Sequence, residues 1–318
     1  MSDAGAAGGG AQDVSTDDRV ARILARLEPR LGALSGTPTP LTGGITNRIL
    51  RVRLGDVDYI LRVFGQHTGV LGIDRDVEAE ATRAANRAGV GPPVAAYLPD
   101  EGCLVTRFIE GRSVSAAQLR ERYTLGQVAG SIRLVHNGPR FPTTFSSFEI
   151  VRTYRRETLA RDGTVPDAYA TAEAIADRIA AALTGPEHAP VPCHNDLLTA
   201  NFIDDGRRVR IVDWEYAGMG DRYFDLGNLS VNNGFDEDDD HRLLEAYFGT
   251  PPTPERFAAL RLMRIMSDFR EAMWGVVQVV VSELDFDYAA YADQHFERLL
   301  AAARDPRFEE WLHHGPTP

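Results

Sequence analysis

The chain has 318 residues, enough to divide into two lobes, because single cores rarely grow past roughly 250–300 residues. Charged residues make up 25% and hydrophobic ones 43%, the profile of a soluble globular enzyme. With 46 acids against 34 bases the net charge is −12, which disfavours a nucleic-acid partner and sets no such barrier against a small cationic substrate. Cys103 and Cys193 lack metal-ligand spacing and read as reduced thiols. The apolar run Trp274 to Val281 is far short of the roughly 20 residues a bilayer span needs, so no membrane partner is expected. Residues 1–18 carry Gly, Ala, Ser and Asp without a basic start or an apolar stretch and are expected to be a disordered tail, which leaves a cytoplasmic location.

Residues 19–108 read as a small, nucleotide-binding lobe. A turn, Leu41-Thr42-Gly43-Gly44-Ile45-Thr46-Asn47, joins a first strand to a second at Ile49 to Leu54. Backbone N–H groups of such a turn can close over phosphates, which makes Gly43, Gly44, Thr46 and Asn47 candidate contacts. The next strand, Tyr59 to Gly65, contains Arg62. Every basic residue of the chain is arginine, so Arg62 is the candidate for the phosphate contact that a strand lysine makes in protein kinases. Ile73 to Ala88 has amphipathic helical spacing, and Glu78 or Glu80 within it is the expected partner of Arg62. Gly91-Pro92-Pro93 ends that pattern; strands follow at Val94 to Leu98 and Cys103 to Phe108. The segment from Arg107, Phe108 and Ile109 to Gly111 would be a hinge offering backbone groups to an adenine ring.

Residues 109–318 change to helical spacing, around Ala116 to His136, Val151 to Arg161, Ala168 to Leu183, His241 to Phe248, Pro254 to Ser282 and Tyr288 to Arg304. The acidic run Asp236 to Asp240 reads as a solvated helix start, favoured there by the helix dipole. Between these helices stands Cys193-His194-Asn195-Asp196-Leu197-Leu198-Thr199-Ala200-Asn201, followed by Asp213-Trp214-Glu215-Tyr216. Phosphoryl transfer needs a carboxylate to orient and deprotonate the attacking hydroxyl, and oxygen ligands to hold Mg²⁺ against nucleotide phosphates. Asp196 fits the first requirement, Asn201 and Asp213 the second. Two short strands around the turn Asp204-Asp205-Gly206-Arg207 would bring Asn201 and Asp213 together.

On these residues, on Phe224-Asp225-Leu226-Gly227-Asn228 and on Trp274-Gly275-Val276-Val277-Gln278 with Phe286, Tyr288 and Tyr291, the chain resembles the choline/ethanolamine kinase group of kinase-like phosphotransferases, from about Leu41 to about Leu300. The resemblance implies a two-lobed α+β fold with an antiparallel small lobe and a mainly helical large lobe. It implies ATP and Mg²⁺ as cofactors, with Arg62 on the phosphates, Asp196 as base, Asn201 and Asp213 as metal ligands, His194 orienting the loop and Asp225 bracing it. It also implies a small cationic alcohol as acceptor, caged by Trp274, Tyr291 and Tyr216 beside Glu215, since a quaternary ammonium is best held by aromatic faces. The group commonly carries tryptophan where this chain has Glu271, which opens the acceptor to ethanolamine or another amino alcohol. An aminoglycoside kinase of the same fold and a non-catalytic kinase-like module are the rival readings.

Overall fold

The computed structural model describes residues 13–41, 47–65 and 68–314. Two units are distinct, one of Met1–Gln66 with Pro93–Phe108, the other of His67–Pro92 with Ile109–Pro318. In the first, α1 (Asp13–Leu31) precedes five strands: β1 (Leu34–Pro40), β2 (Asn47–Leu54), β3 (Val57–Phe64), β4 (Val94–Leu98) and β5 (Cys103–Arg107). All pairings are antiparallel, in the order β1-β2-β3-β5-β4. Leu54 pairs with Val57, so the β2–β3 turn is the two residues Gly55 and Asp56, with Gly55 at φ +58°. Alternate residues Leu50, Val52 and Leu54 of β2 and Tyr59, Leu61 and Val63 of β3 meet Val20, Ile23, Leu24 and Leu27 of α1 in one core. Arg62 therefore stands on the opposite face of β3, and it is 9% exposed.

The second unit begins with α2 (Arg75–Arg87), whose Ala81, Ala84 and Ala85 enter the core of the helical residues that follow. Those are β6 (Arg112–Ser113), α3 (Ala116–Leu119), α4 (Arg122–His136), α5 (Ser147–Leu159), α6 (Ala168–Ala182), β7 (Val191–Cys193), β8 (Phe202–Asp204), β9 (Val209–Ile211), β10 (Gly218–Gly220), α7 (Arg222–Asn232), α8 (Glu237–Phe248), α9 (Pro254–Val281), α10 (Tyr288–Ala302) and α11 (Phe308–His313). β6-β8-β9 form one small sheet and β10-β7 another. α9 is the central helix: from Ala258 to Gln278 it is buried almost all round, as a helix enclosed by neighbours must be. α7 approaches it so closely that a Cβ at Gly227 would lie 2.8 Å from the Arg264 backbone nitrogen. No helix among the described residues is long and apolar enough to cross a membrane.

The antiparallel sheet and the helical body bear out the expected α+β architecture. Three local expectations change. α1 begins at Asp13, inside the stretch expected to be tail. Within the stretch 19–108, the buried alanines of α2 group residues 67–92 with the helical unit. The acidic run does start a helix, with Asp236 as the capping residue, but only its first part is solvated. Asp239 is 1% exposed and paired with Arg120 and Arg242; Asp240 is fully buried, accepting from Ser230, from Arg261 at 3.0 Å and from Arg264 at 2.5 Å. Asp240→Ala leaves two arginines without their carboxylate and should cost about 3–5 kcal/mol. Asp238→Ala, in the exposed part of the same run, should change stability by less than about 0.5 kcal/mol. Urea unfolding of both variants checks the contrast.

Candidate active site

β7 delivers the chain into the loop His194 to Leu198, whose backbone is held from α7. Asp225 accepts the N–H of His194 at 2.8 Å and of Asn195 at 2.6 Å; Asn228 Oδ1 accepts the N–H of Leu197 at 2.6 Å. These bonds hold Asn195 in the left-handed region, at φ +67°, which a non-glycine residue adopts at a cost. His136 Nε2 lies 3.0 Å from the Asp225 carboxylate and its Nδ1 2.7 Å from Tyr247 Oη, so α4 supports the clamp from behind. The His194 ring accepts at Nδ1 from the Asp196 N–H, 3.2 Å, and so donates from Nε2 to the Val212 carbonyl, 2.9 Å. His136, Cys193 and Asp225 have metal-ligand chemistry within 4.8 Å of one another. Asp225 is nonetheless committed to backbone N–H groups, and burial, reinforced by Asp225 and Asp221, pushes the Cys193 thiol well up, so the set reads as structural.

The Asn201 side chain donates from Nδ2 to the Asp196 carbonyl at 2.9 Å, which leaves its amide oxygen as a donor atom for a metal. The Val212 N–H meets the Asn201 carbonyl at 3.0 Å across β8 and β9, bringing Asp213, itself at φ +68°, beside Asn201. One amide oxygen and one carboxylate are hard donors of the kind Mg²⁺ takes, so these residues fit that ion.

Asp196 faces α9. Arg270, 2% exposed, points Nη1 at Asp196 Oδ1, 3.5 Å, and at Glu271 Oε1, 2.6 Å, and its guanidinium lies 4.4 Å from the Tyr216 ring centroid. Tyr291 Oη donates to Glu271 Oε2 at 2.8 Å, and Trp274 Nε1 to Tyr216 Oη at 3.1 Å. Burial pushes the Asp196 carboxyl up to about 7; Arg270 offsets part of this, while Glu271, Asp213 and Glu215 add to it. Burial also pushes Glu271 upward, but Arg270, closer to it than to Asp196, and the Tyr291 hydroxyl together hold it below the usual range. Trp274, Tyr291 and Tyr216 do come together, with one difference from the expected cage: a face of Tyr216 is covered by Arg270.

Glu215 and Glu78 share a cation. Arg75 Nη1 reaches Glu78 Oε2 at 2.6 Å and Glu215 Oε2 at 3.1 Å, tying α2 to the Asp213–Tyr216 segment. Of the two glutamates considered on this helix, Glu78 is fully buried, whereas Glu80 is exposed and pairs with Arg83 at 2.5 Å. In the first unit, Asn47 opens β2 opposite Phe64, Arg62 stands in β3 between Ile49 and Leu104, and Arg107 ends β5. Phe108 follows and carries the Arg51 guanidinium 3.9 Å from its ring centroid. Ile109 is the residue at which the chain re-enters the second unit. Gly43, Gly44 and Thr46 lie outside the described residues. Arg270, Arg75, Asn228 and His136 were not anticipated; the signal available for Arg270 was an Arg–Glu pair inside a long apolar helix.

Residues 37–260 match the sequence pattern of the phosphotransferase enzyme family, APH. A solved choline/ethanolamine kinase family protein from Mesorhizobium loti is 33% identical, covers 93% of this chain and 98% of its own, and superposes with a TM-score of 0.80. The chain belongs to the phosphotransferase enzyme family, in its choline/ethanolamine kinase group. Among curated relatives, Protein LicA of Haemophilus influenzae is 28% identical over 217 residues, 66% of this chain and 62% of that protein, so the match spans less than two thirds of its length. Ethanolamine kinase 2 of Rattus norvegicus is 27% identical over 312 residues, 87% of this chain and 79% of the relative. In this phosphotransferase, Asp225→Asn replaces an acceptor that takes two backbone N–H groups and should cost about 2–4 kcal/mol. Thermal unfolding with phosphotransfer assays should show both stability and turnover falling, and unchanged turnover would mean that the loop holds its shape without the clamp.

Proposed function

We propose that this phosphotransferase carries out ATP-dependent, Mg²⁺-assisted transfer of the γ-phosphoryl group to the hydroxyl of a small cationic amino alcohol of the choline or ethanolamine type. The observation that carries the reading is the placement of Asp196, linked through Arg270 to Glu271, which Tyr291 bonds next to Trp274. Family membership and the named relatives support the same acceptor class.

In this mechanism Asp196 accepts the hydroxyl proton as the oxygen attacks. Raised proton affinity suits a general base working near neutral pH better than an ordinary carboxylate would. His194, Asp225 and Asn228 keep the loop that carries it in shape. Asn201 and Asp213 would hold the metal ion, which when bound would neutralise charge on the nucleotide phosphates. Arg62, with Gly43, Gly44, Thr46 and Asn47, contacts those phosphates; Arg107, Phe108 and Ile109 contact the base. Glu78 orders Glu215 through their shared Arg75. Glu215, Tyr216, Glu271, Trp274 and Tyr291 receive the acceptor.

Two experiments test this. Asp196→Asn should lower kcat by at least about 10³-fold, while nucleotide affinity measured by calorimetry changes less than about 3-fold; near-full turnover overturns the assignment. Excess chelator should abolish phosphorylation of ethanolamine and choline alike, with Mg²⁺ restoring it, and activity that survives chelation overturns the metal's part.

A further inference from the structure

Asp196 and Glu271 are joined through a single nitrogen. Arg270 Nη1 lies 2.6 Å from Glu271 Oε1 and 3.5 Å from Asp196 Oδ1, so these two carboxylate oxygens are at most about 6 Å apart. Tyr291 Oη fixes the other Glu271 oxygen at 2.8 Å. The carboxylate is thus locked in position, and each of its oxygens keeps a second lone pair. Glu271 is 5% exposed and Arg270 2%, so little water can serve those lone pairs.

The form of the cation then matters. An ammonium with an N–H gives Glu271 a charge-assisted hydrogen bond. A quaternary ammonium has no N–H and forgoes that bond, a loss of roughly 1.5–3 kcal/mol, or about 10–100-fold in affinity. Aromatic surface that would compensate is reduced here, since Arg270 covers a face of Tyr216. Carboxylates no more than about 6 Å apart favour a short ligand. A vicinal amino alcohol, with two carbons between oxygen and nitrogen, reaches from one to the other with an ordinary hydrogen bond at each end.

We propose that the buried Arg270–Glu271 pair makes this kinase selective for 1,2-amino alcohols whose ammonium carries N–H, with the hydroxyl on Asp196 and the ammonium on Glu271, against quaternary and longer-chain acceptors. The proposal rests on the amino-alcohol reading above. Arg270 and Tyr291 are positioning residues for Glu271; Glu271 is the specificity determinant.

The test is steady-state kinetics with ethanolamine, its N-methyl and N,N-dimethyl forms, choline and 3-aminopropanol. Ethanolamine and N-methylethanolamine should exceed choline and 3-aminopropanol by at least about 10-fold in kcat/KM, mostly through KM. Glu271→Gln should bring ethanolamine and choline within about 3-fold by raising KM for ethanolamine, and Glu271→Trp should favour choline. Tyr291→Phe keeps the ring and frees the carboxylate, so it should raise KM several-fold more for ethanolamine than for choline; nucleotide binding by calorimetry confirms that each variant is folded. Choline turnover equal to or above that of ethanolamine in the unaltered enzyme overturns the proposal alone. So does a loss in Glu271→Gln and Tyr291→Phe that is equal for every acceptor. Inertness of the unaltered enzyme towards the whole series overturns the amino-alcohol reading and the proposal with it.

Discussion

The second unit depends on one carboxylate that has no solvent to face. Asp225 is 1% exposed and takes the backbone N–H groups of His194 and Asn195, while His136 stands against one of its oxygens. A loop cannot satisfy its own buried backbone donors as a helix or sheet does, so something must supply the acceptors. α7 does so with Asp225 and Asn228. Once those bonds exist, Asn195 can hold its left-handed conformation and Asp196 projects towards α9. Asn201 can then turn its amide back to the Asp196 carbonyl. The geometry attributed to chemistry is thus inherited from a packing contact between α7 and α9, close enough that only glycine fits at position 227.

Much of this was legible in the residues. The strands expected at Ile49 to Leu54 and Tyr59 to Gly65 appear as β2 and β3, because period-two burial and a two-residue turn leave little freedom of register. The neighbourhood of Asn201 and Asp213 was legible too, since a four-residue turn between short apolar strands fixes which residues become adjacent. α1 was missed although Val20, Ile23, Leu24 and Leu27 have helical spacing; the polar, glycine-rich residues before it hid where the pattern starts.

α7 was missed for a more instructive reason. Its glycine is demanded by contact with α9, and Asp225 and Asn228 are demanded by the loop, yet Gly, Asp and Asn are all poor helix formers. The residues that give the helix its task erase its signature, and local propensity gives way to tertiary demand. The run Asp236 to Asp240 misleads in the same manner. Charge at a helix start is ordinarily solvated, and only the pattern of arginines on α9, far off in sequence, turns Asp240 inward.

Arg270 and Glu271 show where such reading stops. Nothing about helix stability calls for two opposite charges at the most buried part of α9, because replacing a buried ion pair by apolar residues of similar volume is often neutral or stabilising. Desolvating both groups must be offset elsewhere, and the offsets visible are partial. Glu271 has two donors, whereas Arg270 has Nε and Nη2 buried without a protein acceptor. On the proposed reading, a pair so incompletely satisfied within the protein is accounted for by what lies against it, Asp196 on one side and the proposed acceptor on the other. Charge in the core of this helix therefore carries information about the ligand, which neither spacing nor composition contains.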